Sequence, residues 1–220
     1  MKEDSLTAEK PRRDDGDGRS ARRRARTRAD LIAAARRVFA ARGFHDASIA
    51  DITAAADVAV GTFYVHFRDK DEALAVLLDE GLDGFRLHVA AAVQAAPLER
   101  AIPALIHATF HYAYHHRELF TILLTGAGLT HGLRARDELA NALMRLLERV
   151  NGSSELATFN IPLLARMMSG VLAQGILWWS DHDDPTPDAM TAQALRLLRY
   201  GLPATLLGAD DSGSSPSLIS

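Results

Sequence analysis

The sequence predicts an all-α protein, and three observations carry that expectation. Helix-start signatures recur ahead of apolar residues at helical spacing, no alternating strand pattern persists, and there is no internal repeat. In the first such segment Thr27 with Asp30 makes a capping box, Leu31, Ala35, Val38 and Phe39 form an apolar stripe, and Gly43 supplies a left-handed C-cap. Ser48 with Asp51 opens a second helix with Ile49, Ile52 and Ala56 on its inward face. Only Asp57-Val58-Ala59 separates it from a third, over 60–67, in which Phe63 and Phe67 lie four apart and are expected to pack on Phe39 and Ile52. So short a connection makes the two helices cross steeply. That is the helix-turn-helix arrangement, whose second helix is free to enter a DNA major groove.

Beyond the connector Arg68-Asp69-Lys70, a long helix is expected over 70–95, ending near Pro97. Further helices are expected over 102–116, 118–124 and 133–150, with a turn at Gly126 and Gly128 and a stop at Asn151-Gly152. Residues 156–179 form a strongly apolar helix that tolerates Pro162 near its start. A loop over 181–187 precedes the last helix, over 188–207. The expected organisation is a disordered basic arm over 1–25, a helix-turn-helix DNA-binding domain over 26–72, a helical C-terminal domain over 73–207, and a flexible tail from 208.

Charge is unevenly placed. The 220 residues sum to a net charge of −3, which alone argues against a nucleic-acid partner. Yet residues 10–42 hold twelve Lys or Arg against four Asp, so the remainder is acidic. A basic N-terminal third on an acidic body fits a single DNA-facing surface. Arg22, Arg23, Arg24 and Arg26 stand just before the first capped segment, where homeodomain-like proteins place basic arms on DNA. Cysteine is absent, so there is neither a disulfide framework nor a thiolate metal site, as fits a reducing cytoplasm. The N-terminus is too charged for a signal peptide, and the longest run free of charged residues and histidine, 167–180, is shorter than the roughly 20 residues of a membrane span. A glycine-rich phosphate loop, a Gly-x-Ser-x-Gly elbow and a His-Glu-x-x-His pair are all missing, which disfavours an enzyme.

Read as TRADLIAAARRVFAARGFHDASIADITAAADVAVGTFYVHFRDKDEAL, residues 27–74 resemble the N-terminal domain of the TetR family of transcriptional regulators. The points of resemblance are Phe39, Gly43-Phe44, Ile52, Gly61-Thr62-Phe63-Tyr64, His66-Phe67, Lys70 and Leu74. Two positions depart from the family pattern. Asp57 stands where Gly is common, and Asp tolerates a left-handed backbone. Ala59 stands where Ser is frequent, which leaves the third helix without a side-chain cap. The resemblance implies that Tyr64, His66, Lys70 and Ser48 meet phosphates, and that Val58, Val60 and Thr62 face base edges with Ala50 and Thr53 nearby. No Arg, Asn or Gln lies on the third helix for bidentate base contacts, so the basic arm and DNA shape are expected to contribute to specificity.

The family resemblance further implies a homodimer, a palindromic operator and a small-molecule effector in the C-terminal domain that releases DNA. An apolar surface late in the chain suits the dimer: Met167, Val171, Ile176 and Trp179, then Leu195, Leu198 and Leu202. Candidate cavity residues are Phe85, His88, Phe110, His111 and Tyr114, with Met144, Met168, Gln174 and Trp178. His107, His111 and His115 share one helix face, but three ligands on one straight helix cannot all reach one ion, so neither a metal nor another cofactor is expected. The alternatives to a ligand-released repressor are a DNA-binding regulator that answers to a protein partner or acts as an activator, and, more remotely, a helical metal-binding enzyme.

Overall fold

The computed structural model of the chain describes residues 14–124, 129–150, 159–180, 182 and 184–201, and among them every regular element is helical. The chain divides into two compact units, Met1–Asp79 and Glu80–Ser220, with the division inside one helix. Residues 1–13, the expected turn at Gly126 and Gly128, the stop at Asn151-Gly152, and everything from 202 onward lie outside the described residues.

In the first unit α1 spans Asp14–Arg42. It therefore begins well before Thr27, and the expected capping box there is not a helix start. Thr27 instead donates its hydroxyl to the Arg23 carbonyl at 3.1 Å within the helix. The expected disordered arm is likewise corrected for residues 14–25, which are helical. Arg and Ala are both strong helix formers, so a run with no apolar stripe still continues the helix outward. Residues 18–26 are exposed on every side, and burial starts only at Leu31, Ala34, Ala35 and Phe39. Gly43, at φ 77°, ends α1 by donating to the Phe39 carbonyl at 2.9 Å.

The next helix, α2 (Ile49–Ala55), opens on Ser48 with both halves of the capping box formed. The Ser48 hydroxyl and backbone, with Arg42 at 2.7 Å, hold the Asp51 carboxyl below its ordinary pKa. The carbonyl of Ala55 accepts from the Arg37 guanidinium at 3.1 Å, so α1 caps the far end of α2. Asp57 turns the chain with φ 54°, a left-handed conformation that Asp tolerates. The third helix, α3 (Val60–His66), follows with Ala59 as an N-cap that makes no side-chain bond. Ile52, Phe63, Phe67 and Phe39 form the small core, with the Phe63 and Phe67 rings 5.4 Å apart.

Lys70, the first residue of α4 (Lys70–Ala95), joins this unit together. Its ammonium donates to the carbonyls of Phe44 at 2.6 Å, His45 at 3.3 Å and Ala47 at 2.8 Å, and lies 4.4 Å over the Phe44 ring. Asp69 caps the same helix by accepting from the Glu72 backbone at 2.8 Å.

The second unit contains the remainder of α4, a 3₁₀ turn at Leu98–Arg100, α5 (Ala101–His115), α6 (Arg117–Leu124), α7 (Leu129–Val150), α8 (Ile161–Ser180) and α9 (Pro187–Tyr200). Glycines let α4 lie close to its neighbours: a Cβ on Gly84 would fall 2.5 Å from the Tyr112 hydroxyl, and one on Gly81 2.6 Å from Leu119. Phe85 packs edge-on against Tyr112 and Phe120. Asn160 caps α8, and Thr186 caps α9 ahead of Pro187. Gly201, at φ 66°, ends α9 by donating its N–H to the Leu197 carbonyl at 2.8 Å, so the helix expected to reach 207 stops at Tyr200. The 20 residues of α8 are long and apolar enough to cross a membrane, which the uncharged run 167–180 understated because Arg166 interrupts the count. Ile161, Ala165, Met168, Ser169, Leu172, Ile176 and Trp179 on that helix are nevertheless buried inside the protein, and Arg166 pairs with Asp137 of α7 at 2.9 Å.

Three charge-assisted hydrogen bonds on one ammonium make Lys70 a stability residue. Lys70→Ala is expected to destabilise the chain by about 1–3 kcal/mol, read as a lower Tm in calorimetry of the full chain.

Candidate nucleic-acid interface and cleft

The two faces of α3 differ sharply. Phe63 and Phe67 point inward and are buried, while Val60, Tyr64 and Val65 stand about half or more exposed. Thr62 and His66 are half-buried at the border between these faces, and Val58 is half-buried in the turn. Val65 belongs to the exposed face with Gly61, four residues before it, yet nothing in its aliphatic side chain marked it in the sequence.

Thr53 and Lys70 do not belong to this face. Thr53 is 1% exposed and gives its hydroxyl to the Ala50 carbonyl, so it is a core residue of the turn. Lys70, expected to anchor a phosphate, gives its three donors to the loop before α2 in this structure. The Ser48 hydroxyl is exposed but engaged in the α2 cap on both sides, accepting from Asp51 N and donating to the Asp51 carboxylate at 2.6 Å.

Positive charge comes instead from α1. Arg22, Arg23, Arg24 and Arg26 are exposed on a rigid helix rather than on an extended arm. Arg24 and Arg28, four apart, lie on the side toward the end of α3. Burial, and then the fields of Arg24 and Arg28, lower the His66 pKa from its ordinary value, which leaves the imidazole neutral at neutral pH. Arg28 also sits 5.4 Å over the Phe67 ring. The outward surface is thus an apolar and hydroxyl-bearing α3 flanked by arginines from a neighbouring helix.

The second unit holds a cleft of about 520 Å³ between α4, α5 and α7. Phe85, Val89, Val93, Leu105, Leu139 and Leu146 make its apolar wall, and Arg86, Gln94, Glu138, Asn141, Arg145 and Arg149 its polar edge. Arg86 forms ion pairs with Glu138 at 2.9 Å and with Asp83 at 2.9 Å. Of the residues expected to line a cavity, Phe85 does so. Phe110 and Met168 are buried elsewhere in the core, Met144 is half-buried and Gln174 is exposed. Tyr114 stacks on Trp179, the exposed Trp178 stacks on His182, and His88 stacks on His111. The α7 wall consists of aliphatic, polar and charged side chains, whose local pattern is that of any amphipathic helix.

The late apolar surface is also rearranged. Ile176 and Trp179 are buried core residues, and Leu195 and Leu198 are half-buried. Leu202 lies outside the described residues. Met167 and Val171 of the expected set, joined by Leu163 and Trp178, form an exposed apolar stripe along α8, with Leu197 and Tyr200 exposed on α9.

Residues 31–77 match the profile of bacterial regulatory proteins of the tetR family. No curated protein matches the chain. Among solved structures, a TetR-family transcriptional regulator from Pectobacterium atrosepticum is 28% identical, with 82% of this chain and 95% of that one covered at a TM-score of 0.60. The fatty acid degradation regulator FadR of Bacillus halodurans is 24% identical, with coverages of 80% and 99% and a TM-score of 0.67. FadR of Bacillus subtilis, solved in complex with stearoyl-CoA, is 22% identical, with coverages of 80% and 99% and a TM-score of 0.68. The left-handed turn between two short helices, the outward face of the second and the family profile across both agree: residues 31–77 match the helix-turn-helix segment of bacterial regulatory proteins of the tetR family.

Proposed function

We propose that the chain is a dimeric repressor that binds a palindromic operator through its first unit and is released when a small molecule occupies its second. The observation that carries the DNA-binding half is the exposed face of α3 beside the arginines of α1. In this reading α3 enters the major groove, where Val58, Val60 and the Thr62 methyl meet thymine methyl groups and the Thr62 hydroxyl bonds a base edge. Tyr64 and His66 meet phosphates, Ser48 lies at the groove edge, and Arg22, Arg23, Arg24 and Arg26 neutralise backbone charge along α1. The first unit is the DNA-binding domain and the second the regulatory and dimerisation domain, working in the cytoplasm where the operator lies. Selection of random duplexes by the purified full chain tests this reading. A recovered palindrome supports it, and an unenriched pool contradicts it.

The α8 stripe serves the homodimer, because a two-fold axis brings the same apolar face of each protomer onto the other. The effector sits in the cleft, whose volume falls in the usual range for small-molecule sites. An apolar wall along α4 and α7 suits an extended hydrocarbon. Arg145 and Arg149, one turn apart on α7, suit an anionic head group. The stearoyl-CoA held by the Bacillus subtilis relative has that chemistry. To release DNA the effector needs differential affinity for two states of the protein, typically about 1–3 kcal/mol of coupling.

Three outcomes follow from this assignment. Met167→Glu places a charge in the dimer stripe and is expected to shift the chain from dimer to monomer in sedimentation, with a folded far-ultraviolet spectrum retained. Arg145→Gln with Arg149→Gln is expected to weaken binding of a long-chain acyl anion by roughly tenfold or more in calorimetry, while the matching neutral alcohol is unaffected. For His66, a nearby phosphate raises the pKa in the complex above its lowered value in the free protein, so DNA binding takes up a proton. Affinity is therefore expected to rise as pH falls through the complex's value and to level off below that of the free protein. His66→Gln flattens that profile in fluorescence anisotropy.

A further inference from the structure

The geometry points to a transition-metal chelate at His111 and His115 on the outer side of α5, independent of both the DNA face and the cleft. These residues are four apart on one helix, so their imidazoles project from adjacent turns toward each other. Their Nε2 atoms lie 3.3 Å apart. A tetrahedral ion bound at the usual zinc–nitrogen distance of about 2.0–2.1 Å separates two ligand nitrogens by roughly 3.3–3.4 Å. In the metal-free chain the same two atoms share one proton as a hydrogen bond, so the rings already hold the separation that chelation needs.

Protonation state agrees with geometry. Burial and the neighbouring histidines lower the His111 pKa from its ordinary value, so at neutral pH the ring is uncharged and its lone pair is available. His115 is exposed and His111 half-buried, which leaves the outer side of the pair open for water to complete the coordination sphere.

The other imidazoles of the cluster are placed differently. His107 is bonded through Nε2 to the Asp188 carboxylate of α9 at 3.1 Å. His88 of α4 stacks face to face on His111, with ring centroids 5.8 Å apart and planes within 5°, so it supports the ring without aiming a nitrogen at the same point. Among the described residues no three metal-ligating side chains gather around one centre. The site is therefore a two-histidine chelate for a borderline, imidazole-preferring ion such as Zn²⁺, Ni²⁺ or Cu²⁺, exchangeable rather than structural.

Calorimetric titration of the full chain with Zn²⁺, alongside Co²⁺ absorption as a coordination signature, tests the assignment. One ion per chain is expected, with affinity falling as pH drops through the imidazole range. Either His111→Ala or His115→Ala is expected to weaken binding by about tenfold or more, whereas His107→Ala leaves it within about twofold. Far-ultraviolet spectra of each variant separate lost ligation from lost fold. Absence of zinc binding to the wild-type chain, or equal binding by the His111→Ala, His115→Ala double variant, overturns the chelate. So does a loss on His107→Ala as large as that on His115→Ala.

Discussion

The left-handed backbone at Asp57 is the constraint on which the DNA-facing half depends. Four residues, 56–59, must redirect the chain between α2 and α3, and one of them takes a positive φ so that the helices cross within so short a span. Glycine does this without steric cost; aspartate does it at a modest one. With the turn made, Val58 donates its backbone N–H to Thr53, Phe63 drops onto Ile52, and the opposite face of α3 is left outward. The outward phase of α3 is set by this turn.

Around the turn, polar side chains hold the frame by serving backbone groups. Ser48 and Asp51 satisfy the start of α2, Arg37 satisfies its end, and Lys70 gathers three carbonyls from the loop between α1 and α2. These are helix ends and loop groups that would otherwise depend on water. A lysine beside the outward face of α3 can thus be structural, while Arg22, Arg23, Arg24 and Arg26 are exposed on α1.

Much of this was readable from residues with few alternatives. Gly43, the Ser48–Asp51 box and Asp57 each have one conformational role, so their signals translated directly into an end, a start and a turn. Thr27 misled because a threonine followed by an aspartate three residues on also occurs inside a helix, where the hydroxyl bonds back to Arg23. Thr53 and Lys70 misled for a related reason: a polar side chain can be spent on backbone groups that only the folded chain brings near. In α8 the difficulty was phase. An almost wholly apolar helix gives no polar face to orient it, and neighbouring Trp178 and Trp179 point about 100° apart, one outward and one into the core. The cleft was hidden because its walls come from α4, α5 and α7, whose juxtaposition no local pattern records.

Hydroxyl-radical footprinting of the full chain on a duplex it selects tests the central claim most directly. The account predicts two protected backbone patches related by a dyad, with centres about 34–36 Å or a multiple of it apart, each major-groove segment flanked by protection from the α1 arginines. A single unpaired patch, or protection that does not change when Tyr64 and Val60 are replaced together, contradicts it.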